Sequence, residues 1–225
     1  MTMTELLQKL SECVEFGKIN QASPFPPQMK GQVGADELTR QLLDQGASPQ
    51  DVLTLGLMPG MERVGVKFRE NKVFVPQVLM SAKAMNTAMV HLKPYFLTGE
   101  ARQKGTFVIG TVEGDLHDIG KNLVSMMVEG NGWKVVDLGV DVKPERFIEV
   151  LREHPGAYVG LSALLTTTMP SMERISKAIK EALPEVKVAV GGAPVTREFC
   201  EKIGADAYSR DPQGLVEYLN GRLED

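Results

Sequence analysis

The segment Asp115-Leu116-His117-Asp118-Ile119-Gly120 sets an imidazole between two carboxylates, just after the apolar run Thr106 to Val112 and ahead of a helical-looking stretch. A histidine in such a loop serves as a metal ligand, as a general base, or as an ordinary loop residue. A ligating histidine needs its second ring nitrogen held by a carboxylate or carbonyl that fixes the tautomer, and Asp115, two residues earlier, can do this. The other two histidines, His91 and His154, lie in unrelated segments, and Cys13 and Cys200 have no metal-like spacing. The pattern therefore argues against a zinc site built from protein alone. One histidine ligand suits a metal whose other positions a macrocycle fills, as in haem or corrin. Further along, Ser162 and Thr166 offer hydroxyls to a buried heterocycle, and Gly191-Gly192 lets a bulky group lie against backbone. Asp118 reads as the N-cap of the following helix.

These residues need elements to bring them together. From Thr106 on, short β-branched runs (106–112, 134–138, 158–161, 187–190 and 205–208) alternate with helical stretches, which predicts five βα units and a doubly wound parallel sheet of flavodoxin-like strand order. Ligands of such sheets bind beyond the carboxyl ends of the strands. The loops carrying His117, Ser162, Gly191-Gly192-Ala193 and Tyr208 all begin at such ends, so they are expected to converge. Up to about residue 98 the apolar period is instead three and four, the mark of amphipathic helices. Leu6, Leu7, Leu10 and Val14 mark the first helix, and Leu38, Leu42 and Leu43 the second. The third starts at Ser48-Pro49 and runs towards Phe68, and the fourth starts near Val75-Pro76 and carries Val78, Leu79, Ala82, Met85, Met89 and Leu92. The expected organisation is a helical cap over 1–98, a polar linker over 99–105 and a sheet domain over 106–225.

Composition narrows the partners. A formal charge of −4 and no extended Lys/Arg run argue against nucleic acid or an acidic membrane surface. With 43% apolar residues the core is ample, yet no stretch approaches the ~20 apolar residues of a membrane span. The two isolated thiols and the absence of a signal-like N-terminus lead to the expectation of a cytoplasmic protein. Trp133 and both cysteines read as packing residues.

The pattern Asp115-x-His117-x-x-Gly120, then Ser162-x-Leu164, then Gly191-Gly192, resembles the three-part signature of cobalamin-binding domains that hold the cofactor with its own benzimidazole displaced and a protein histidine on cobalt. The stretch from Phe68 to Val78 is similar to the segment capping the cobalt's upper face in methionine synthase and in the small corrinoid proteins of methyltransferase systems. The resemblance implies that His117 is the lower axial ligand, Asp115 its hydrogen-bond partner, and Thr168 the hydroxyl that completes the relay where methionine synthases have serine. It implies that Ser162 and Thr166 bond the benzimidazole, that Gly191, Gly192 and Tyr208 line the channel for the nucleotide tail beside Ala193, and that Leu116, Asp118, Gly120 and Leu164 belong to the same binding loops. Phe68, Val75 and Val78 would form an apolar lid over the methyl position.

The function so implied is that of a corrinoid carrier, holding cobalamin, with methylcobalamin as the loaded state. A donor-specific methyltransferase would load the methyl group, a second one would pass it to a folate or thiol, and a reductive activation protein would restore spent cobalt. An adenosylcobalamin regulator has a similar architecture, but would need an output module and typically a tryptophan in its cap, which here has none. A flavodoxin-like module with no affinity for corrinoid is the reading of a different class.

Overall fold

The computed structural model describes residues 1–222, so the last three residues of the expected sheet domain lie outside the described residues. The chain divides into two compact units near Gln103/Lys104, with the short piece Gly130–Gly132 grouped with the first.

The first unit is a four-rod helical bundle. Helix α1 (Met3–Phe16) is capped reciprocally by Thr2 and Glu5, and its seven-residue apolar repeat buries Leu6, Leu7, Leu10 and Val14. It is followed by α2 (Ala35–Asp44) and by a rod made of α3 (Pro49–Asp51), a π-helical stretch Val52–Leu57 and α4 (Met58–Arg69). The wide-turn stretch breaks the single regular helix expected between Ser48 and Phe68. The cause lies in packing: a Cβ on Gly56 would stand 2.9 Å from Leu10 Cδ2, and one on Gly60 would stand 2.4 Å from the Ser11 carbonyl. Two glycines four apart thus bring the rod hard against α1, and the widened turn keeps both on that face. The last rod, α5 (Val75–Thr98), begins with Gln77 Oε1 accepting the Phe74 N–H and ends at Gly99 in the left-handed region. Val78, Ala82, Met85 and Leu92 are buried, whereas Leu79 is exposed.

The second unit is a five-stranded parallel sheet in the order β2-β1-β3-β4-β5, the flavodoxin-like arrangement. Its strands are β1 (Thr106–Thr111), β2 (Lys134–Asp137), β3 (Tyr158–Ser162), β4 (Val188–Gly191) and β5 (Ala207–Tyr208). The helices are α6 (Ile119–Gly130), α7 (Pro144–Glu153), α8 (Met169–Ala182), α9 (Arg197–Lys202) and α10 (Pro212–Gly221). Val108, Val159, Phe147, Ile175 and Ile179 form the core on the α7 and α8 side. Alternation along β1 turns Phe107 and Ile109 to the opposite face, towards α6 and α10. Trp133 is buried edge-on against Tyr158, with ring centroids 5.6 Å apart and its Nε1–H on Asn220 Oδ1, which is the packing role expected of it. Cys13 and Cys200 are buried free thiols, and burial pushes the Cys13 thiol up to about 12.

Register does the positioning. Thr111 pairs with Ser162, and Ser162 pairs with Gly191, so the last residues of β1, β3 and β4 form one row. Backbone bonds carry that row one step further, Val112 N–H to Ser162 O at 3.0 Å and Ala163 N–H to Gly191 O at 3.2 Å. Three loops far apart in sequence are therefore delivered to one edge.

Candidate functional site

At that edge the centre is Asp115, fully buried and surrounded by donors. Its Oδ1 accepts the His117 backbone N–H at 3.1 Å and pairs with His117 Nδ1 at 2.7 Å. Its Oδ2 takes the Leu164 N–H at 2.8 Å, the Leu165 N–H at 3.3 Å and the Thr168 hydroxyl at 2.8 Å. Burial opposes ionisation, but the Leu164 N–H, both His117 donors and Thr168 together outweigh it and hold the carboxyl well below the usual carboxylate range. A carboxylate on Nδ1 fixes the proton there and leaves the lone pair on Nε2. The His117 side chain is 51% exposed, and Nε2 has no hydrogen-bond partner among the described residues. The imidazole thus has Nδ1 anchored and Nε2 unbonded among the described residues, and Leu116, Ile119, Leu164 and Leu165 in the same loops are exposed and apolar.

Beside this cluster a cavity of about 420 Å³ runs between the sheet and helices α6 and α10. Phe107 and Ile109 form part of its floor, and Gly120, Ser162, Gly191 and Tyr208 part of its walls. Its size lies in the range of small-ligand sites. Two adjacent glycines shape it differently. A Cβ on Gly191 would meet only Ser209 O, at an ordinary 3.5 Å, whereas Gly192 has φ 127° and a Cβ there would collide with Ala163 O at 1.8 Å.

Family models described as B12 binding domain match residues 105–216 and residues 32–93. The chain is 42% identical to trimethylamine corrinoid protein 1 of Methanosarcina acetivorans over 193 residues, covering 84% of this chain and 89% of that one. The chain belongs to the B12-binding corrinoid proteins. It is also 39% identical to dimethylamine corrinoid protein 1 of the same organism, over 96% of each chain. Among solved structures, the methanol:cobalamin methyltransferase complex of Methanosarcina barkeri matches with a TM-score of 0.82 and 27% identity, over 98% of this chain and 80% of that one.

The corrinoid protein's own residues fit such a cofactor: a half-exposed imidazole with Nδ1 anchored, exposed apolar side chains in the same loops, and an adjoining cavity walled in part by Gly191 and Gly192. Of the residues expected from the sequence, Asp115, His117, Leu164 and Thr168 are joined by hydrogen bonds, and Gly120, Ser162, Gly191, Gly192, Ala193 and Tyr208 line the cavity. Asp118 stands immediately before α6 and pairs with the Asn122 side-chain amide at 3.0 Å. Thr166 opens the short 3-10 turn Thr166–Thr168, is exposed, and belongs neither to the Asp115 cluster nor to the cavity wall. In the helical unit, Phe68 and Val75 are half-buried, Val78 is fully buried, and the neighbouring Phe74 is 61% exposed.

Three residues that the sequence reading did not single out also hold the corrinoid protein's histidine loop. Thr111, fully buried at the end of β1, donates its hydroxyl to the His117 carbonyl at 2.9 Å. Asp141 accepts the Gly114 N–H on Oδ1 at 2.7 Å and donates its own N–H to Asp115 O at 3.0 Å, from a left-handed φ of 54°. Lys121 is 2% exposed, and its ammonium bonds Asp137 and Asn122, the residue that holds Asp118. Only Thr111 had a signal in the sequence, a polar residue in an apolar run. No helix among the described residues is long and apolar enough to cross a membrane.

Proposed function

We propose that this protein is the methyl-carrying component of a corrinoid-dependent methyltransferase system, loaded by a donor-specific methyltransferase and unloaded by a second enzyme onto a folate or thiol, with a reductive activation protein as a further partner. The names of its relatives suggest methylated amines, or a similar small methylated compound, as the donor class. The bound cofactor supplies a cobalt centre that takes up and gives away a methyl group.

The observation that carries the proposal is His117 with Nδ1 held by a buried, multiply hydrogen-bonded carboxylate and Nε2 free. In this reading His117 is the lower ligand. Asp115 tunes its basicity, and Thr168, through its 2.8 Å bond to Asp115, links the pair to a proton-exchanging hydroxyl. Ser162 and the glycine edge, which line the cavity, accept the displaced base and its tail, whereas the exposed Thr166 takes no part. Phe68, Val75 and Val78 act as the cap over the methyl position. The cap must move aside for transfer, because in-line displacement needs reacting atoms within about 3 to 3.5 Å. The polar stretch 98–105 is the proposed hinge.

The test is magnetic resonance of the reconstituted protein in its cobalt(II) state, prepared with nitrogen-15 histidine. A histidine-nitrogen coupling that disappears in His117→Ala is expected, together with methyl uptake when a methylamine-specific methyltransferase and its substrate are added. Coupling to the cofactor's own base alone would overturn the ligand assignment, and failure of every methylated donor tried would overturn the carrier role.

A further inference from the structure

The cavity under the strand ends has three charged residues in its lining, Lys121, Arg210 and Asp211. Two are committed inside the protein. The Lys121 ammonium is held by Asp137 and by Asn122 Oδ1, the latter at 2.7 Å. The Asp211 carboxylate caps α10, accepting the Gly214 N–H at 2.9 Å. Arg210 differs: it is exposed, and makes no hydrogen bond or ion pair among the described residues. Its backbone is nevertheless well placed, because Ser209 before it bonds to Val190 O through its N–H and to Asp211 O through its hydroxyl. A guanidinium is thus carried on a tethered segment at the wall of a cavity whose other lining charges are already matched.

A guanidinium is a planar fork of donors that suits the two oxygens of a phosphate group. The nucleotide tail of a complete corrinoid contains one anion, the phosphodiester that joins its base-bearing ribose to the ring side chain. We propose that Arg210 is a specificity-determining residue that pairs with this phosphodiester and so selects the complete, nucleotide-bearing cofactor over corrinoids that lack the tail. The inference rests on the reading of the protein as a corrinoid carrier whose tail channel is this cavity, and it adds the residue that recognises the tail's charge. The open side of the wall is consistent with such an occupant: a Cβ added at Gly120 would meet nothing within 4 Å, and one at Gly191 would make only an ordinary contact.

The experiment titrates the full-length apoprotein with aquocobalamin and, separately, with cobinamide, which has the ring but no phosphate, ribose or base. Binding is followed by the visible spectrum for wild type, Arg210→Ala and Arg210→Lys. Because the side chain is exposed and has no partner inside the described protein, the variants should keep the wild-type unfolding midpoint. Arg210→Ala should weaken cobalamin binding by about 5- to 50-fold, the range between a solvent-screened and a partly enclosed ion pair, and change cobinamide binding less than about twofold. Arg210→Lys should recover part of the loss, and raising the salt should shrink the gap between wild type and Arg210→Ala. Equal losses for both corrinoids, or an unchanged cobalamin affinity in Arg210→Ala, would overturn this proposal alone. A wild-type protein that binds neither corrinoid would overturn the carrier reading and this one with it.

Discussion

Replacing Gly192 and Gly191 separately by alanine should give opposite phenotypes, although the two glycines are adjacent. At 192 the added methyl would sit 1.8 Å from Ala163 O and 2.8 Å from its carbonyl carbon, on a residue whose φ is 127°. Holding alanine in that region costs about 1–3 kcal/mol. Relieving the collision means moving backbone that includes the 3.2 Å bond from Ala163 N–H to Gly191 O, and losing such a bond costs about 0.5–1.5 kcal/mol. Together the sheet unit should lose about 2–4 kcal/mol. At 191 the methyl meets only Ser209 O at 3.5 Å, so Gly191→Ala should fold normally while filling part of the cavity wall. Urea unfolding followed by the fluorescence of Trp133, the single tryptophan and a buried residue of the sheet unit, reports that unit selectively. With a slope of about 2 kcal/mol per molar urea, the Gly192→Ala midpoint should fall by about 1–2 M. Gly191→Ala should stay within about 0.3 M of wild type and lose cobalamin affinity instead. A Gly192→Ala protein with the wild-type midpoint, or two variants that behave alike, would refute the argument from backbone geometry.

Thr111→Val keeps the strand's shape but removes the donor to the His117 carbonyl; it should cost about 1 kcal/mol and reduce the histidine-on fraction seen in cobalt(II) magnetic resonance, and an unchanged spectrum would remove Thr111 from the positioning set. Asp206 is opposed in its charge by burial, yet the hydrogen bonds from Lys180 and the Val188 N–H lower its carboxyl below the ordinary value. A lowered folded-state value means that its stabilisation is present above about pH 4 and is lost as the pH falls through the folded value. Asp206→Asn should therefore lower stability by about 1–3 kcal/mol at pH 7 and flatten the dependence of the Trp133-monitored midpoint below about pH 4; parallel profiles for the two proteins would exclude that contribution.

Much of this architecture is legible in the order of residues, because local periodicity is a local property. The switch from a period of three and four before residue 98 to β-branched runs after Thr106 marks the change from helices to βα units, and right-handed parallel crossovers leave few strand orders open. The Asp115-x-His117 pair was readable for the same reason, since two residues of separation in a tight loop suffice to bring Oδ1 to Nδ1. What tertiary structure decided depends on partners that sequence distance hides. The π-helical stretch at Val52–Leu57 follows from the close approach of Gly56 and Gly60 to α1. Thr168 reaches Asp115 while Thr166, two residues earlier, does not, because a 3-10 turn points them to different sides. Asp141 grips the histidine loop only because the sheet register sets the end of β2 beside that of β1. Neither a periodicity nor a motif encodes which of several hydroxyls or carboxylates will be turned inward; that is determined when strands pair and their ends meet.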